Sequence, residues 1–346
     1  MQHWSDIRGQ TRPLDILKRA LDTGRVHHAY LFTGLKGVGK FLTAKTFTAI
    51  VNCTERPEGE FREACGECSS CRKIEGRQHP DVHFVEPTGE KLKLIKIAQI
   101  REIEKASHRS PYEGRFRIVL IDEAHTMTEP AANALLKTLE EPSARMRLIL
   151  VTDQPHGLLD TIISRCQVLR FGALEIEMVV ELLEQILDER EEELDEPFTA
   201  EELGVAARYG EGSVGRSLAV LDSGMLEARE EFLTSAINLP AGEAVPLLNL
   251  AESLSKDRRE LEKRLDVLKL FFRDVMLYLT CRDEDRLVNI DLVELIADYA
   301  ERVSLDDALE MIDEVREAQR LMMRNVNSQL ITEELLGSFR SRAPSR

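Results

Sequence analysis

No stretch of the 346-residue sequence approaches the roughly 20 apolar residues needed to cross a bilayer. No apolar signal region follows the opening Met1-Gln2-His3-Trp4-Ser5-Asp6. Together these two absences lead to the expectation of a cytoplasmic protein with no membrane contact. Basic charge is also short. The formal net charge is −16, where a protein gripping DNA over a broad surface would be basic. A stand-alone DNA binder is therefore not expected. Much of the acid sits in one run, Asp188 to Asp195, which reads as a solvated helix end. Internal repeats and low-complexity tracts are missing too.

The composition that remains is that of a soluble globular chain: 43% hydrophobic and 31% charged residues. At 346 residues it is too long for one ordinary core, so two or three domains are expected. Residues 1–172 alternate strand-like and helix-like segments. Tyr30-Leu31-Phe32, Arg117 to Ile121, Leu148 to Thr152 and Gln167 to Phe171 read as strands, with a helix over Ala131 to Glu141. Alternation of this kind implies an α/β fold, a parallel sheet covered by helices. Past Gly172 the strand signals stop. Ile176, Val179, Val180, Leu183, Ile186 and Leu187 follow helical spacing, Pro197 to Tyr209 and Ser213 to Leu221 read as two more helices, and a small helical domain over 173–227 is expected. From 228 to 346 the chain reads as a second all-α domain. Its centre is one long helix with Leu261, Leu265, Leu268, Phe272, Val275 and Leu279 on its packing face, followed by a helical pair over Ser304 to Phe339.

The strongest local motif is Gly34-Leu35-Lys36-Gly37-Val38-Gly39-Lys40, a G-x-x-x-x-G-K phosphate loop between a strand and a helix. Gly34, Gly37 and Gly39 would let backbone N–H groups approach phosphate oxygens, and Lys40 and the helix N-terminus add positive potential. The full motif needs a Ser or Thr hydroxyl next to ligate Mg²⁺, and here the residue is Phe41. Thr43, two residues further round the helix, is not expected to point to the same place. Asp122-Glu123, after the apolar strand, would hold magnesium through water and position the attacking water; the alternative is a pair of acids capping a helix. The expectation is a site that takes ATP and Mg²⁺ weakly or not at all. Asp122-Glu123-Ala124-His125 also matches the name-giving tetrapeptide of a helicase class, but a helicase needs two such domains or a hexamer-forming equivalent.

Four of the six cysteines lie in one segment. Cys65-Gly66-Glu67-Cys68-Ser69-Ser70-Cys71 gives two C-x-x-C steps sharing a cysteine, with Cys53 upstream. Four thiolates suit tetrahedral Zn²⁺, and with all four ligands from protein the site would be structural. A redox C-x-x-C and an iron–sulfur site are the alternatives. The zinc knuckle would span about 53–71.

Asn133 to Pro142, Ser164-Arg165-Cys166 and His28-Ala29-Tyr30-Leu31-Phe32 together resemble the signature of the AAA+ sliding-clamp loader family of bacterial DNA polymerase III. Taken alone, an arginine at a helix end is usually a salt-bridge or capping residue. The resemblance implies instead that Arg165 projects into a neighbouring subunit's ATP site as an arginine finger. It further implies an AAA+ nucleotide domain, a helical lid and a helical collar. Ile7 with Gly9-Gln10 resembles the adenine-side segment, Thr152 holds the sensor 1 position, and Gly212 to Arg216 resembles sensor 2, with Arg216 reaching toward phosphate. Asn325 to Leu330, followed by Glu333 and Leu335-Leu336, resembles the end of the oligomerising collar. A similar zinc module occurs in the same family. The implied partners are sister subunits of gamma/tau-like and delta-like kind, with the sliding clamp and primer–template DNA inside the assembly. Phe41 with Arg165 points to a stator-like subunit. A motor ATPase of the same loader and a scaffold without a catalytic arginine remain alternatives.

Overall fold

The computed structural model describes residues 3–55, 63–89, 92–107, 109–190, 197–240, 243–324 and 326–342. Most of the acidic run, residues 191–195, and Asn325 of the tail motif fall outside the described residues. The chain divides into two compact units, 1–182 with 211–216, and 183–210 with 217–346. The expected boundary at 172 falls ten residues before the first break, which lies within helix α7, Ile176–Asp188. Among the described residues no helix is long and apolar enough to cross a membrane.

The first unit is built on a five-stranded sheet. Its strands are β1 (Ala29–Thr33), β2 (Val82–Val85), β3 (Arg117–Ile121), β4 (Met146–Thr152) and β5 (Gln167–Arg170), in the order β2-β3-β4-β1-β5. Every pairing is parallel. Residues of β1 and β3 are buried throughout, because helices cover both faces, and this is why they read as unbroken apolar runs. Alternate residues divide between two cores. Tyr30, Phe32, Ile118 and Leu120 join Phe47 and Leu17 on one face, while Ala29, Leu31, Val119 and Ile121 join Leu135 and Ile100 on the other.

The sequence reading did not pick out β2, which is four residues long with His83 in it. The expected strand over Gln167 to Phe171 ends at Arg170, though the Phe171 N–H still reaches the Thr33 carbonyl at 2.8 Å. Helices α1 (Thr11–Asp22), α2 (Lys40–Asn52), α3 (Ser69–Glu75), α4 (Ile97–Ser107), α5 (Glu129–Glu140) and α6 (Asp160–Ile163) complete this unit. The register sets Thr33 beside Thr152 and Ile121 beside Leu150. The phosphate loop after β1, the acids after β3 and Thr152 thus gather at the carboxyl ends of adjacent strands, where open α/β sheets bind ligands.

The second unit is helical among its described residues. Helix α8 (Ala200–Tyr209) begins three residues later than expected. Thr199 accepts from the Glu202 N–H at 3.2 Å and Glu202 accepts from the Thr199 N–H at 2.7 Å, a reciprocal cap. After α9 (Val214–Asp222), which begins in the first unit, come α10 (Met225–Ile237), α11 (Ala244–Ser255), α12 (Arg258–Cys281), α13 (Val293–Ala300), α14 (Leu305–Met323) and α15 (Ser328–Arg342). On α12 the expected seam is buried at Leu261, Leu265, Leu268, Phe272 and Val275 and only partly buried at Leu279, and Phe271 is buried beside it. The Asp257 carboxylate caps this helix, accepting from the N–H groups of Arg259 and Glu260 at 2.8 and 3.2 Å. Phe271, Phe272, Tyr299 and Phe339 form its aromatic centre.

Candidate functional site

The loop between β1 and α2 has a backbone that only glycine can follow. Gly34, Gly37 and Gly39 have φ of 143°, 82° and 90°. A Cβ on Gly34 would lie 2.3 Å from the Phe171 carbonyl oxygen, and one on Gly37 2.8 Å from the Gly215 Cα. The loop is pinned from outside. Gln10 is buried and donates to the Val38 carbonyl of the loop at 3.4 Å, while pairing with Gly172 by donating to its carbonyl at 2.9 Å and accepting from its N–H at 3.1 Å. Ser213 donates to the Lys36 carbonyl at 2.5 Å and the Gly215 N–H to the Gly37 carbonyl at 3.1 Å.

Lys40 opens α2 and folds back over its own loop, donating from Nζ to the carbonyls of Gly34 at 2.7 Å and Leu35 at 2.5 Å. Burial brings its ammonium down to about 8, against the pull of Asp153 and Asp122. Asp122 stands at the end of β3, and burial raises its carboxyl above the usual range. Glu123 has a left-handed backbone, φ 45°, and its carboxylate accepts from Lys36 at 2.6 Å. The Thr152 hydroxyl accepts from the Gln154 N–H at 3.0 Å and lies 3.1 Å from His125 Nδ1. Arg216 donates to Glu211 at 2.9 Å and opposes protonation of Lys40 electrostatically. The structure therefore gathers Gly34, Gly37, Gly39, Lys40, Asp122, Glu123 and Thr152 around one loop, with Arg216 within electrostatic reach.

Phe41 is not a bystander at this site. Its ring centroid is 6.2 Å from that of Phe84 on β2, and the Arg77 guanidinium lies over both rings, at 5.4 and 5.1 Å. Arg77 in turn donates to Glu86 at 2.6 Å. The hydroxyl of Thr43 is turned into α2 and donates to the Gly39 carbonyl at 2.8 Å. The cradle fits phosphate oxygens, but residues 41 and 43 do not fit the magnesium-ligating role. Phe41→Thr is expected to raise Mg²⁺-dependent ATP affinity about tenfold, the scale of one bond to a charged group. It should also cost about 2 kcal/mol of stability through lost ring packing. Titration calorimetry with and without Mg²⁺ checks the first effect and thermal unfolding the second. Unchanged affinity would remove Phe41 as the lesion.

The four cysteines converge beside this loop's helix. Cys53 follows the last residue of α2 and Cys68 caps α3. All four Sγ atoms lie within 4.8 Å of one another, with Cys53–Cys65 at 3.6 Å, Cys65–Cys71 at 3.9 Å and Cys53–Cys68 at 4.0 Å. A tetrahedron of sulfurs about 2.3 Å from a metal has edges of about 3.8 Å, so the set fits a tetrahedral ion. The amides of Cys68 and Cys71 donate to the sulfurs of Cys65 and Cys68 at 3.3 and 3.4 Å, and Gly66 supplies a left-handed turn at φ 75°. Burial pushes the Cys71 thiol up; it opposes Cys68 as well, but hydrogen bonds from Thr54 and Cys71 bring that thiol down to about 6. Such crowded thiolates could hold a metal, and a dication would offset their repulsion.

Arg165 lies apart from the phosphate loop, two residues after α6. It is about one-third exposed in an open groove lined by His27, His28, Glu140, Ser164 and Gln167. Its Nη2 donates to Glu140 at 2.8 Å and its Nη1 to the Thr161 carbonyl at 3.0 Å.

Comparison with known proteins places the chain. The family model described as "DNA polymerase III, delta subunit" matches residues 9–175, and that described as "DNA polymerase III, delta subunit, C terminal" matches 223–341. The DNA polymerase III subunit delta′ of Bacillus subtilis (strain 168) is 32% identical over 337 residues, 96% of this chain and 97% of that protein. The chain belongs to the delta-prime family of DNA polymerase III clamp-loader subunits.

Relatives of a second kind also match. The DNA polymerase III subunit tau of Escherichia coli (strain K12) is 35% identical over 241 residues, 70% of this chain and 36% of that protein. Among solved structures, a gamma subunit-related protein of DNA polymerase III from Thermotoga maritima covers 96% of this chain and 99% of its own, at 21% identity and a TM-score of 0.44. In this delta-prime family member the α/β part is a five-stranded parallel sheet with helices, and the described C-terminal region is mostly helical. Sequence reasoning missed three members of the loop region, Arg77, Phe84 and Asp153, and gave no role to Lys36 within the motif. Of these only Asp153 carried a local signal, an acid at the carboxyl end of a buried strand.

Proposed function

We propose that this chain is the stator-like subunit of a clamp loader. It would join gamma/tau-like and delta-like sister subunits in the bacterial cytoplasm and help place a sliding clamp on primer–template DNA. The observation that carries this reading is the packing of Phe41 among Phe84 and Arg77, which leaves an otherwise glycine-built cradle without its magnesium hydroxyl. A chain with that defect would contribute to ATP chemistry outside its own loop, and Arg165 in its open groove is suited to do so. A guanidinium brought to a neighbour's nucleotide would stabilise charge on the transferring phosphoryl group. Thr152 and Arg216 would remain as sensor positions of a site no longer used for hydrolysis. The division 1–172, 173–227 and 228–346 into nucleotide domain, lid and collar belongs to the same proposal, as does a structural Zn²⁺ on Cys53, Cys65, Cys68 and Cys71. No zinc chemistry enters catalysis: the ion, when bound, would cross-link the end of α2 to the start of α3.

The motor reading rests on a specific observation, the retention of Lys40, Asp122 and Glu123 around the loop. Reconstitution separates function from mere resemblance. Loading of a clamp onto primed DNA by purified gamma/tau-type and delta-type subunits is expected to require this chain, with activity falling to background on its omission. Full loading without it would remove it from the loader.

A further inference from the structure

The ion pair at the end of α5 goes beyond supporting a fold. Glu140 is the last residue of α5 and Glu141 follows it. Acids there face the negative end of the helix dipole, an arrangement that local rules disfavour. Lys137 in the last turn offsets part of this, and Arg165 adds a second cation beside Glu140. Among the described residues its side-chain bonds run to the Glu140 carboxylate at 2.8 Å, the Thr161 carbonyl at 3.0 Å and the Ser164 hydroxyl at 3.5 Å. The Arg165 backbone N–H donates to the Ile162 carbonyl at 3.1 Å, while the guanidinium is held by acceptors at the mouth of an open groove. Half of the Glu140 side chain is exposed, and an exposed pair of this type is weak.

From this geometry we propose that Glu140 is a positioning residue that holds Arg165 at rest and yields it to the phosphate chain of a nucleoside triphosphate on a neighbouring subunit. The inference rests on the reading of Arg165 as acting in trans and adds its regulation. The same Nη2 that meets Glu140 would have to meet the phosphate, so the carboxylate and the phosphate compete for one donor. A released Glu140 carboxylate would also face the phosphate with like charge. Docking is therefore opposed until the neighbour carries enough negative charge to displace the carboxylate. Because the pair is exposed and weak, the barrier is small and reversible, as a gate between idle and active assemblies requires.

The test uses the complete reconstituted loader, with ATP hydrolysis measured with and without clamp and primed DNA. Glu140→Gln keeps the size and removes the charge. It is expected to raise the unstimulated rate by up to about fivefold while the stimulated rate holds, so the stimulation ratio falls. Glu141→Gln removes the same charge from the same helix end and is expected to change neither rate. Glu140→Gln in an Arg165→Ala background should have no effect. An unchanged unstimulated rate, or a fall in the stimulated rate, would overturn the gate while Arg165→Ala still reported on the finger. If Arg165→Ala itself left hydrolysis unchanged, the trans reading would fail and the gate with it.

Discussion

Replacing Cys71 by Ser is expected to strip one zinc per chain and to unfold the knuckle together with the helix end it anchors. Cys71 is fully buried and its sulfur lies 3.9 Å from that of Cys65. The anchor is wider than four ligands. Ser70, within the same segment, donates to the Asn52 carbonyl at the end of α2 at 2.7 Å, and Glu75 on α3 accepts from Lys45 on α2 at 2.8 Å. Structural zinc contributes roughly 10–16 kcal/mol of apparent binding energy in small zinc domains at neutral pH. Even a fraction of that exceeds an ordinary core substitution, so a large fall in Tm is expected, and a strong chelator should reproduce it in the parent chain. Because the ligands are thiolates, metal affinity falls as pH falls and protons compete for sulfur. Metal analysis by mass spectrometry with a visible absorbance spectrum checks the ion. One zinc and a colourless protein support the site. Strong visible absorbance would indicate an iron–sulfur cluster, and a metal-free parent chain as stable as Cys71→Ser would leave the cysteines without a structural ion.

The second large effect is expected at a distance. If Arg165 acts in trans as proposed, Arg165→Ala should slow phosphoryl transfer at a neighbouring site by roughly 10³- to 10⁵-fold. A group that acts on charge appearing in the transition state lowers kcat and leaves KM nearly unchanged. Arg165→Lys should not restore the rate, since a point charge lacks the planar fork that meets two oxygens at once. Size-exclusion chromatography of the variant loader must show the assembly intact. A rise in KM at constant kcat would make Arg165 a ground-state contact, and loss of assembly would make it an interface residue.

What could be read from sequence follows from how local each signal is. Strands β1, β3 and β4 were legible because both faces are buried and their apolar runs are continuous, whereas β2 is short and carries His83. The seam of α12 was legible from its four-and-three spacing; Phe271 was not, because that helix is enclosed on more than one stripe. The phosphate loop and the cysteine cluster announce themselves through spacing, since left-handed turns favour glycine and a tetrahedral set requires four near ligands. The partners of the same residues do not. The ring packing of Phe41 involves Arg77 and Phe84, tens of residues away, and the pairs Lys36–Glu123 and Arg165–Glu140 join segments separated by whole strands and helices. Sequence identifies which groups are available; tertiary packing decides which of them are engaged.

On the proposed reading, this chain contributes to ATP hydrolysis in trans and not through its own loop. The most direct measurement is clamp- and DNA-stimulated hydrolysis by the reconstituted loader with this subunit as Lys40→Ala or as Arg165→Ala, side by side. An unchanged rate is expected for Lys40→Ala and a large fall for Arg165→Ala. A large fall for Lys40→Ala with an unchanged rate for Arg165→Ala would contradict it and make the chain a motor working from its own site.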